Sequence, residues 1–290
     1  MAGKPIYEFL IWDNCNNKCK FCFQRLSPRN FDLDTQHLIC NSVINYLKSD
    51  NYISGNHVLI VGGEIFDDIN RKDFLLEFFN NLTLMMSNNH IDLLYLNTNI
   101  IYNNACMNML SEVLDLFKKR NVLNRLKFTT SYDLDGRFKN KTHKNMFLKN
   151  LDSLSCIDGL NIVSNLILTK TVCEKILTNE FDIFKFQNEH KIKINMIPYI
   201  ILEQNLIAPR QLIFNCLKKL DTISPEFVKQ FIFELDMKQP RKLLQSTKEG
   251  FFIEKTCKNS DCGHSVNFKR YSDAGSCFVC DMKMLFNKYF

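Results

Sequence analysis

The sequence lacks long apolar runs and has few of the residues that break regular structure. With 9 glycines and 6 prolines among 290 residues, it is neither collagen-like nor dominated by linkers. No apolar run approaches the roughly 20 residues that a membrane-spanning helix needs, and the short apolar stretch at 6–12 carries Glu8, unlike a signal peptide. A strong charge imbalance is also absent, because 37 Lys and Arg oppose 31 Asp and Glu, a formal charge of +6 that favours acidic partners only weakly. These absences predict a soluble, cytoplasmic chain.

Cysteine is the residue that the chain has in excess. Twelve cysteines are many for a reduced compartment, yet far too few for a disulfide scaffold of this length. Most of them form two groups, one near each end of the chain, and this clustering predicts metal ligands rather than crosslinks. The others lie in or beside predicted helices and strands and are expected to be small core residues: Cys40, Cys106, Cys156, Cys173 and Cys216.

Short apolar runs alternate with longer segments of helical spacing. Hydrophobic residues make up 46% of the chain, enough for a sizeable core. The predicted strands are 6–12, 57–61, 92–96, 125–130, 159–168 and 191–201, and the predicted helices are 35–48, 71–87, 105–120, 144–154, 172–187, 209–220 and 225–237. Strands that alternate with helices in this way predict an α/β fold with a parallel sheet, too short for a full barrel and therefore an open, partial (β/α)6 barrel.

The first cysteine group directly follows the first predicted strand. It places Cys15, Cys19 and Cys22 within eight residues, so that three thiolates can surround one soft metal centre. Structural zinc normally takes four protein ligands, and no obvious fourth lies nearby. A [4Fe–4S] cluster held by three cysteines would instead leave one iron open for another ligand.

This CxxxCxxC spacing after the first strand of a βα series, with the aromatic Phe21 before the third cysteine, resembles the radical S-adenosylmethionine (radical SAM) superfamily. The resemblance implies that Cys15, Cys19 and Cys22 hold a [4Fe–4S] cluster, that SAM chelates its open iron, and that Phe21 lies beside the adenine. It also implies that SAM is cleaved to a 5′-deoxyadenosyl radical, which abstracts hydrogen from a substrate. The electron would come from an external donor such as flavodoxin or ferredoxin.

Later strands end in further motifs of the same family. Gly62, Gly63 and Glu64 resemble its GGE segment, where glycines expose backbone to the methionine end of SAM and the carboxylate can pair with its ammonium group. Ile65 stands where relatives often have proline. The resemblance implies further SAM contacts from the ends of the third, fourth and sixth strands: Thr98, Asn99, Ser131, Asp133 and Ile197.

No catalytic acid, base or nucleophile can be identified from the sequence. In the implied reaction the radical breaks the bond, and the protein supplies placement. Tyr132 and Tyr199 are candidates for residues at the barrel mouth that quench or tune the radical. Packing is the alternative role for both.

The second cysteine group lies near the C-terminus and comprises Cys257, Cys262, Cys277 and Cys280. A predicted strand at 264–271 and a turn at 272–275 separate its two pairs, so the four thiols can meet at one tetrahedral site. Zinc and a second [4Fe–4S] cluster are both compatible with this spacing. The segment resembles the twitch or SPASM-type extension of the radical SAM superfamily, which implies an auxiliary iron–sulfur cluster.

These patterns divide the chain into a partial barrel at 1–205, a helical connection at 206–250 and a small cysteine-rich, metal-binding subdomain at 251–290. We expect a radical SAM enzyme that oxidises or crosslinks a peptide or protein side chain. A small polar molecule or a nucleotide derivative is the alternative substrate. A zinc-knuckle module that binds nucleic acid through 267–271 is a second alternative, but it leaves the N-terminal cysteines unexplained.

Overall fold

The computed structural model describes residues 4–20, 22, 28–197, 206, 208–229 and 241–255. Its strands are β1 Ile6–Leu10, β2 Asn56–Val61, β3 Ile91–Asn97, β4 Leu126–Tyr132, β5 Asn161–Ile167, β6 Lys193–Ile197, β7 Arg241–Ser246 and β8 Phe252–Lys255. Its helices are α1 Leu33–Lys48, α2 Lys72–Ser87, α3 Asn104–Lys119, α4 Lys141–Ser155, α5 Lys170–Leu177, α6 Ile183–Glu189 and α7 Arg210–Ile223. None of the described helices is long and apolar enough to cross a membrane.

The strands form one sheet in the order β6-β5-β4-β3-β2-β1-β7-β8. All neighbouring pairs from β6 to β7 are parallel, and only β7 and β8 pair antiparallel. Helices α1 to α4 each connect one of the first five strands to the next, as right-handed βα units require. The predicted α/β class and the partial barrel are therefore confirmed.

Five helices begin at a side chain that accepts a hydrogen bond from a free backbone N–H of the first turn, which is why they start where they do. These capping residues are Asp32, Asn103, Asn140, Thr169 and Asp182. The last of these, Asp182, helps to explain why the single helix predicted over 172–187 is two helices. Asp182 caps a second helix, and Asn179 has a φ of 62° that the first helix cannot continue through, so the segment divides into α5 and α6.

The two faces of the sheet differ in what covers them. One face packs against the helices and contributes the main core, as Phe128 and Tyr132 of β4 do. The other face, which we call the inner face, carries the alternate residues Lys127, Thr129 and Ser131 of the same strand, all half-buried. On β1, β2 and β7 the inner face also carries a small separate apolar cluster: Ile6, Leu10, Leu59, Val61 and Leu243, with Tyr95 of β3 beside them.

Strand β7 lies within the segment 206–250 that the sequence assigns to a helical connection. It pairs in parallel with β1, from Ile6 opposite Arg241 to Leu10 opposite Gln245. The hairpin from β7 to β8 then turns back over α1, where Gly250 has a φ of 78° and lies against Leu38. The sheet therefore extends beyond the six strands of the predicted barrel.

Candidate functional site

The N-terminal cysteines lie in the loop that follows β1, at the end of the sheet where the parallel strands terminate. This loop runs beside the loop after β2, because Gly63 N donates to Trp12 O at 2.6 Å and Glu64 N donates to Asn14 O at 2.7 Å. A Cβ atom on Gly63 would lie 2.0 Å from the carbonyl oxygen of Asn14, so only glycine permits this approach. The Gly-Gly pair thus lets the cysteine loop pack against β2.

The three thiols occupy one neighbourhood with different exposure. Cys15 is exposed, Cys19 is buried and Cys22 is intermediate. Cys19 and Cys22 pack together with Ile197, which the sequence analysis assigns to the SAM site, and with Ile167 and Leu206. Ile197 is the last residue of β6 and Ile167 is the last residue of β5, so the cysteine loop covers the carboxyl end of both strands.

Amide groups point at two of the sulfur atoms. The backbone N–H of Asn17 donates to Cys15 Sγ at 3.4 Å, and its side-chain Nδ2 donates to Cys19 Sγ at 3.2 Å. Asn99 Nδ2 donates to Cys15 Sγ at 3.5 Å and to Asn16 Oδ1 at 2.7 Å. Such N–H···S contacts stabilise electron-rich sulfur, as a metal-bound thiolate is.

The surroundings of Cys15 favour the protonated thiol when no cation is bound. Although Cys15 is exposed as a residue, the protein around its sulfur desolvates the thiol. This desolvation, followed by the negative charge of Glu64, raises the pKa of Cys15 to about 12. The N–H of Asn17 acts in the opposite direction. A metal at this position would therefore release a proton as it binds.

The donor set is compatible with an iron–sulfur cluster. Among the residues that the structure describes, no three His, Cys, Asp or Glu side chains lie close enough together to hold one metal ion. In a [4Fe–4S] cluster each thiolate binds a different iron, so its three ligands need not converge on one point. Three soft thiols in one loop, with N–H donors on two of them, suit such a group.

Glu64 holds the ends of β2 and β3 together. Its carboxylate is fully buried and accepts hydrogen bonds from the backbone N–H groups of Ile65 (2.9 Å), Phe66 (3.2 Å) and Asn99 (2.5 Å), and from the hydroxyls of Thr98 (3.1 Å) and Tyr102 (2.5 Å). Burial, and then the charge of Asp67, raise its pKa. These five donors fill the acceptor positions of the carboxylate, so Glu64 places Thr98 and Asn99 next to the cysteine loop. Its contact with SAM stays a prediction.

A buried ion pair fixes the start of the CxxxCxxC loop. Asp67 pairs with Arg71 and accepts a hydrogen bond from the backbone N–H of Asn16 at 2.6 Å. Arg71 also donates to Glu64 O at 2.8 Å and lies over the ring of Trp12, 5.5 Å from its centroid. Burial raises the pKa of Asp67, whereas Arg71 lowers it. The cysteine loop is therefore held by charges that the sequence motif does not contain.

Arg137, which follows β4, connects three parts of the site. Its Nη2 donates to Asn99 O at 3.0 Å, its carbonyl oxygen accepts from Asn17 Nδ2 at 3.0 Å, and its backbone N–H donates to Asp133 Oδ1 at 3.0 Å. Asp133 is fully buried and also accepts from Gly136 N. The predicted residue Asp133 thus organises the loop after β4 that supports the cysteines.

Ser131 lies in a polar row on the inner face. It is level with Asn165 of β5, which is level with Asn195 of β6. All three are half-buried, and their side chains make no hydrogen bond within the part of the chain that the structure describes. In β5 and β6 the row lies two residues before Ile167 and Ile197, the residues that pack against Cys19 and Cys22. It offers hydrogen-bonding groups to a ligand inside the barrel.

Tyr132 lies away from this face. It packs between Phe138, Phe147, Phe181 and Phe186 on the helix side, with ring centroids 4.4 to 6.1 Å apart. Burial raises its pKa to about 12. Neighbouring residues of a strand point to opposite faces, so Ser131 and Tyr132 cannot both face the interior. The idea that Tyr132 lines the barrel mouth is wrong, and packing is its role.

Several predicted positions lie outside the described residues, namely Phe21, Tyr199, Cys257, Cys262, Cys277 and Cys280. Of the five cysteines expected in the core, four are buried, whereas Cys156 is exposed at the end of α4. Five residues of this site were not predicted from the sequence: Asn17, Asp67, Arg71, Arg137 and Asn165. For Asn17 the only available signal was a second amide inside the cysteine motif.

No family model and no curated protein matches the chain. Among solved structures, native anSMEcpe with bound AdoMet and Cp18Cys peptide is similar over 98% of this chain and 96% of its own, with a TM-score of 0.57 and 13% identity. A hexahistidine-tagged anSMEcpe with bound AdoMet matches 82% of this chain with a TM-score of 0.50 and 14% identity, and this chain spans 61% of that structure. Streptococcus suis SuiB bound to its precursor peptide SuiA matches 94% of this chain and 66% of its own, with a TM-score of 0.49 and 13% identity. At such identities the likeness to anSMEcpe shows a common fold.

Proposed function

We propose that this chain is a radical SAM enzyme, with a [4Fe–4S] cluster on Cys15, Cys19 and Cys22 and SAM on its open iron. The observation that carries the proposal is the placement of the three cysteines at the carboxyl end of a parallel sheet, with N–H donors on two of the sulfur atoms. Ligands of such sheets bind at this end. The common fold with anSMEcpe, which has AdoMet bound, supports the same reading.

When bound, the cluster and SAM would supply a 5′-deoxyadenosyl radical that abstracts hydrogen from a substrate. The residues of the chain hold this site rather than react. Asp67 fixes the backbone of Asn16, and Glu64 fixes Thr98 and Asn99 beside it. Ile197 packs against Cys19 and Cys22 and helps to keep water from the bound groups.

We assign the remaining SAM contacts to the motif residues that surround the cysteine loop. They are Phe21, Gly62, Gly63, Glu64, Thr98, Asn99, Ser131, Asp133 and Ile197. For Glu64 and Asp133 we favour an indirect contribution, because both carboxylates are buried and already accept backbone hydrogen bonds. Glu64 binds the loop after β3, and Asp133 binds its own loop after β4. Ser131 lies on the inner face and can bond SAM directly.

The substrate that we propose is a peptide or protein side chain, which the enzyme would oxidise or crosslink. Support comes from anSMEcpe, whose structure contains the Cp18Cys peptide. Asn165 and Asn195 offer amide donors and acceptors on the inner face, a chemistry that suits a peptide backbone. An auxiliary cluster on the C-terminal cysteines and an external electron donor belong to the same proposal.

The test is reductive cleavage of SAM by the anaerobically reconstituted chain. We expect a brown, oxygen-sensitive protein that forms 5′-deoxyadenosine and methionine when strongly reduced, as measured by chromatography and mass spectrometry. Replacing Cys15, Cys19 and Cys22 together with alanine should abolish the cleavage. Cys156→Ala is the matched control, because this cysteine is exposed and lies outside the loop, and it should cleave SAM as the wild type does. Cleavage of SAM by the triple variant would contradict the proposal.

A further inference from the structure

Asn17 makes an unusual set of contacts for a loop residue. It is 6% exposed, and its side-chain Nδ2 donates both to Cys19 Sγ at 3.2 Å and to Arg137 O at 3.0 Å. Its Oδ1 accepts from Lys18 N at 3.0 Å. With oxygen and nitrogen both committed to partners of the matching kind, the orientation of this amide is fixed by its surroundings.

The partner at Arg137 makes this arrangement rigid. Arg137 is itself 5% exposed and bonded to Asn99 and Thr130, so the carbonyl that receives the Asn17 amide cannot move freely. The second N–H of Asn17 Nδ2 is therefore directed at the sulfur of Cys19. The backbone N–H of the same residue reaches Cys15 Sγ at 3.4 Å. One residue thus contacts two of the three proposed cluster ligands.

From this geometry we infer that Asn17 is a positioning residue that raises the reduction potential of the N-terminal cluster. The inference rests on the proposed function, because it needs a cluster on Cys19. Reduction adds one electron to the cluster and so increases the negative charge on its sulfur ligands. An N–H donor to a ligand sulfur stabilises that charge and favours the reduced form.

The experiment compares the holoprotein with two variants of Asn17. Asn17→Leu removes the N–H donor while keeping a side chain of similar size. Asn17→Asp keeps the shape but places a carboxylate beside the sulfur. The midpoint potential of the N-terminal cluster is measured by anaerobic titration with dithionite. The titration follows the electron paramagnetic resonance signal that disappears when Cys15, Cys19 and Cys22 are replaced together with alanine, and the iron content of each protein is determined in parallel.

Asn150→Leu is the matched control. Asn150 is 5% exposed and also donates twice through Nδ2, to Ile100 O at 2.9 Å and to Tyr102 O at 3.0 Å. It supports a loop next to the site without contacting a cysteine. The Asn150→Leu variant therefore loses a buried amide without losing an N–H···S contact.

We expect the potential to shift to more negative values in Asn17→Leu and further in Asn17→Asp, with the Asn150→Leu protein unchanged. The inference is overturned if both Asn17 variants contain full iron and titrate at the wild-type potential. It is also overturned if both lose iron while Asn150→Leu retains it, because Asn17 would then hold Cys19 in place without tuning the cluster. A wild-type chain that binds no iron would instead contradict the proposed function, and the inference with it.

Discussion

Asp133 is a carboxylate that the fold buries completely just after β4. Burial raises its pKa from 3.8 to about 6, although the backbone N–H and the charge of Arg137 act against this. The folded chain therefore binds the proton of Asp133 more tightly than the unfolded chain does. The stabilisation that results is fully present below pH 4 and is lost as the pH rises through 6, with a total of about 3 kcal/mol.

This titration predicts a pH dependence that Asp133→Asn should remove. The free energy of unfolding of the wild type, relative to this variant, is expected to fall between pH 4.5 and pH 7, as measured by denaturant titration of the apoprotein. Taking the difference cancels the groups that titrate in both proteins. Asp135→Asn serves as the control for the same change of charge two residues away. A difference that stays constant with pH would contradict the assignment.

The CxxxCxxC spacing identifies which residues can bind a metal, but not which groups support them. Asp67 and Arg137 contact Asn16 and Asn17 because the loops after β2 and β4 both lie beside the cysteine loop. No local pattern encodes that proximity. The opposite orientations of Ser131 and Tyr132, by contrast, can be predicted from sequence, because successive side chains of a strand point to opposite faces.

Arg29 connects the cysteine loop to β7. Its guanidinium binds Asp13 at 3.0 and 3.2 Å through two nitrogens and donates to the backbone and hydroxyl oxygens of Ser246, both at 3.2 Å. The side chain of Asp13 is only 4% exposed. Removing the arginine would leave the Asp13 carboxylate buried without its cation. An uncompensated buried charge is strongly destabilising.

We therefore expect Arg29→Ala to lower the free energy of unfolding by about 3 kcal/mol. Arg29→Lys should recover only part of this, because an ammonium group cannot make the forked contact to Asp13 and Ser246. Denaturant titration measures both. Lys72→Ala, which removes the exposed pair with Glu112, is the control and should change stability by less than about 1 kcal/mol. Equal effects of Arg29→Ala and Lys72→Ala would show that the contact with β7 adds little.

The strands β1 to β6 could be predicted from sequence because each is a short apolar run, and the segments between them have apolar residues at helical spacing. The bounds of the predicted strands differ from the observed ones by one or two residues over the part of the chain that the structure describes, as at 159–168, where β5 is Asn161–Ile167. Strand β7 could not be predicted, since its partner β1 lies more than two hundred residues away and its own run of six residues follows the end of the βα alternation. The break between α5 and α6 could not be predicted either. It depends on the left-handed backbone of Asn179, which the spacing of apolar residues does not reveal.

For the whole molecule, a second cluster on Cys257, Cys262, Cys277 and Cys280 would determine whether the proposed reaction has an electron acceptor within the chain. Metal analysis of the anaerobically reconstituted chain is expected to find about eight irons, as two [4Fe–4S] clusters require. Replacing the four cysteines with alanine should reduce this to about four. About four irons and one zinc in the wild type would contradict a second cluster. An electron acceptor near the substrate would then be missing from the C-terminal site, and a redox-neutral reaction would be favoured.

The pairing of β1 with β7 also has a consequence for the order in which the chain assembles. One edge of β1 stays without its partner until residues 241–246 have been synthesised, and the contact between Ser246 and Ile11 closes a separation of 235 residues. Such distant closures are slow, and an exposed strand edge is prone to wrong pairing in the meantime. The loop that carries the cysteines begins at this edge. This loop therefore gains its final support only after residues 241–246 have been added, more than two hundred residues after its own synthesis.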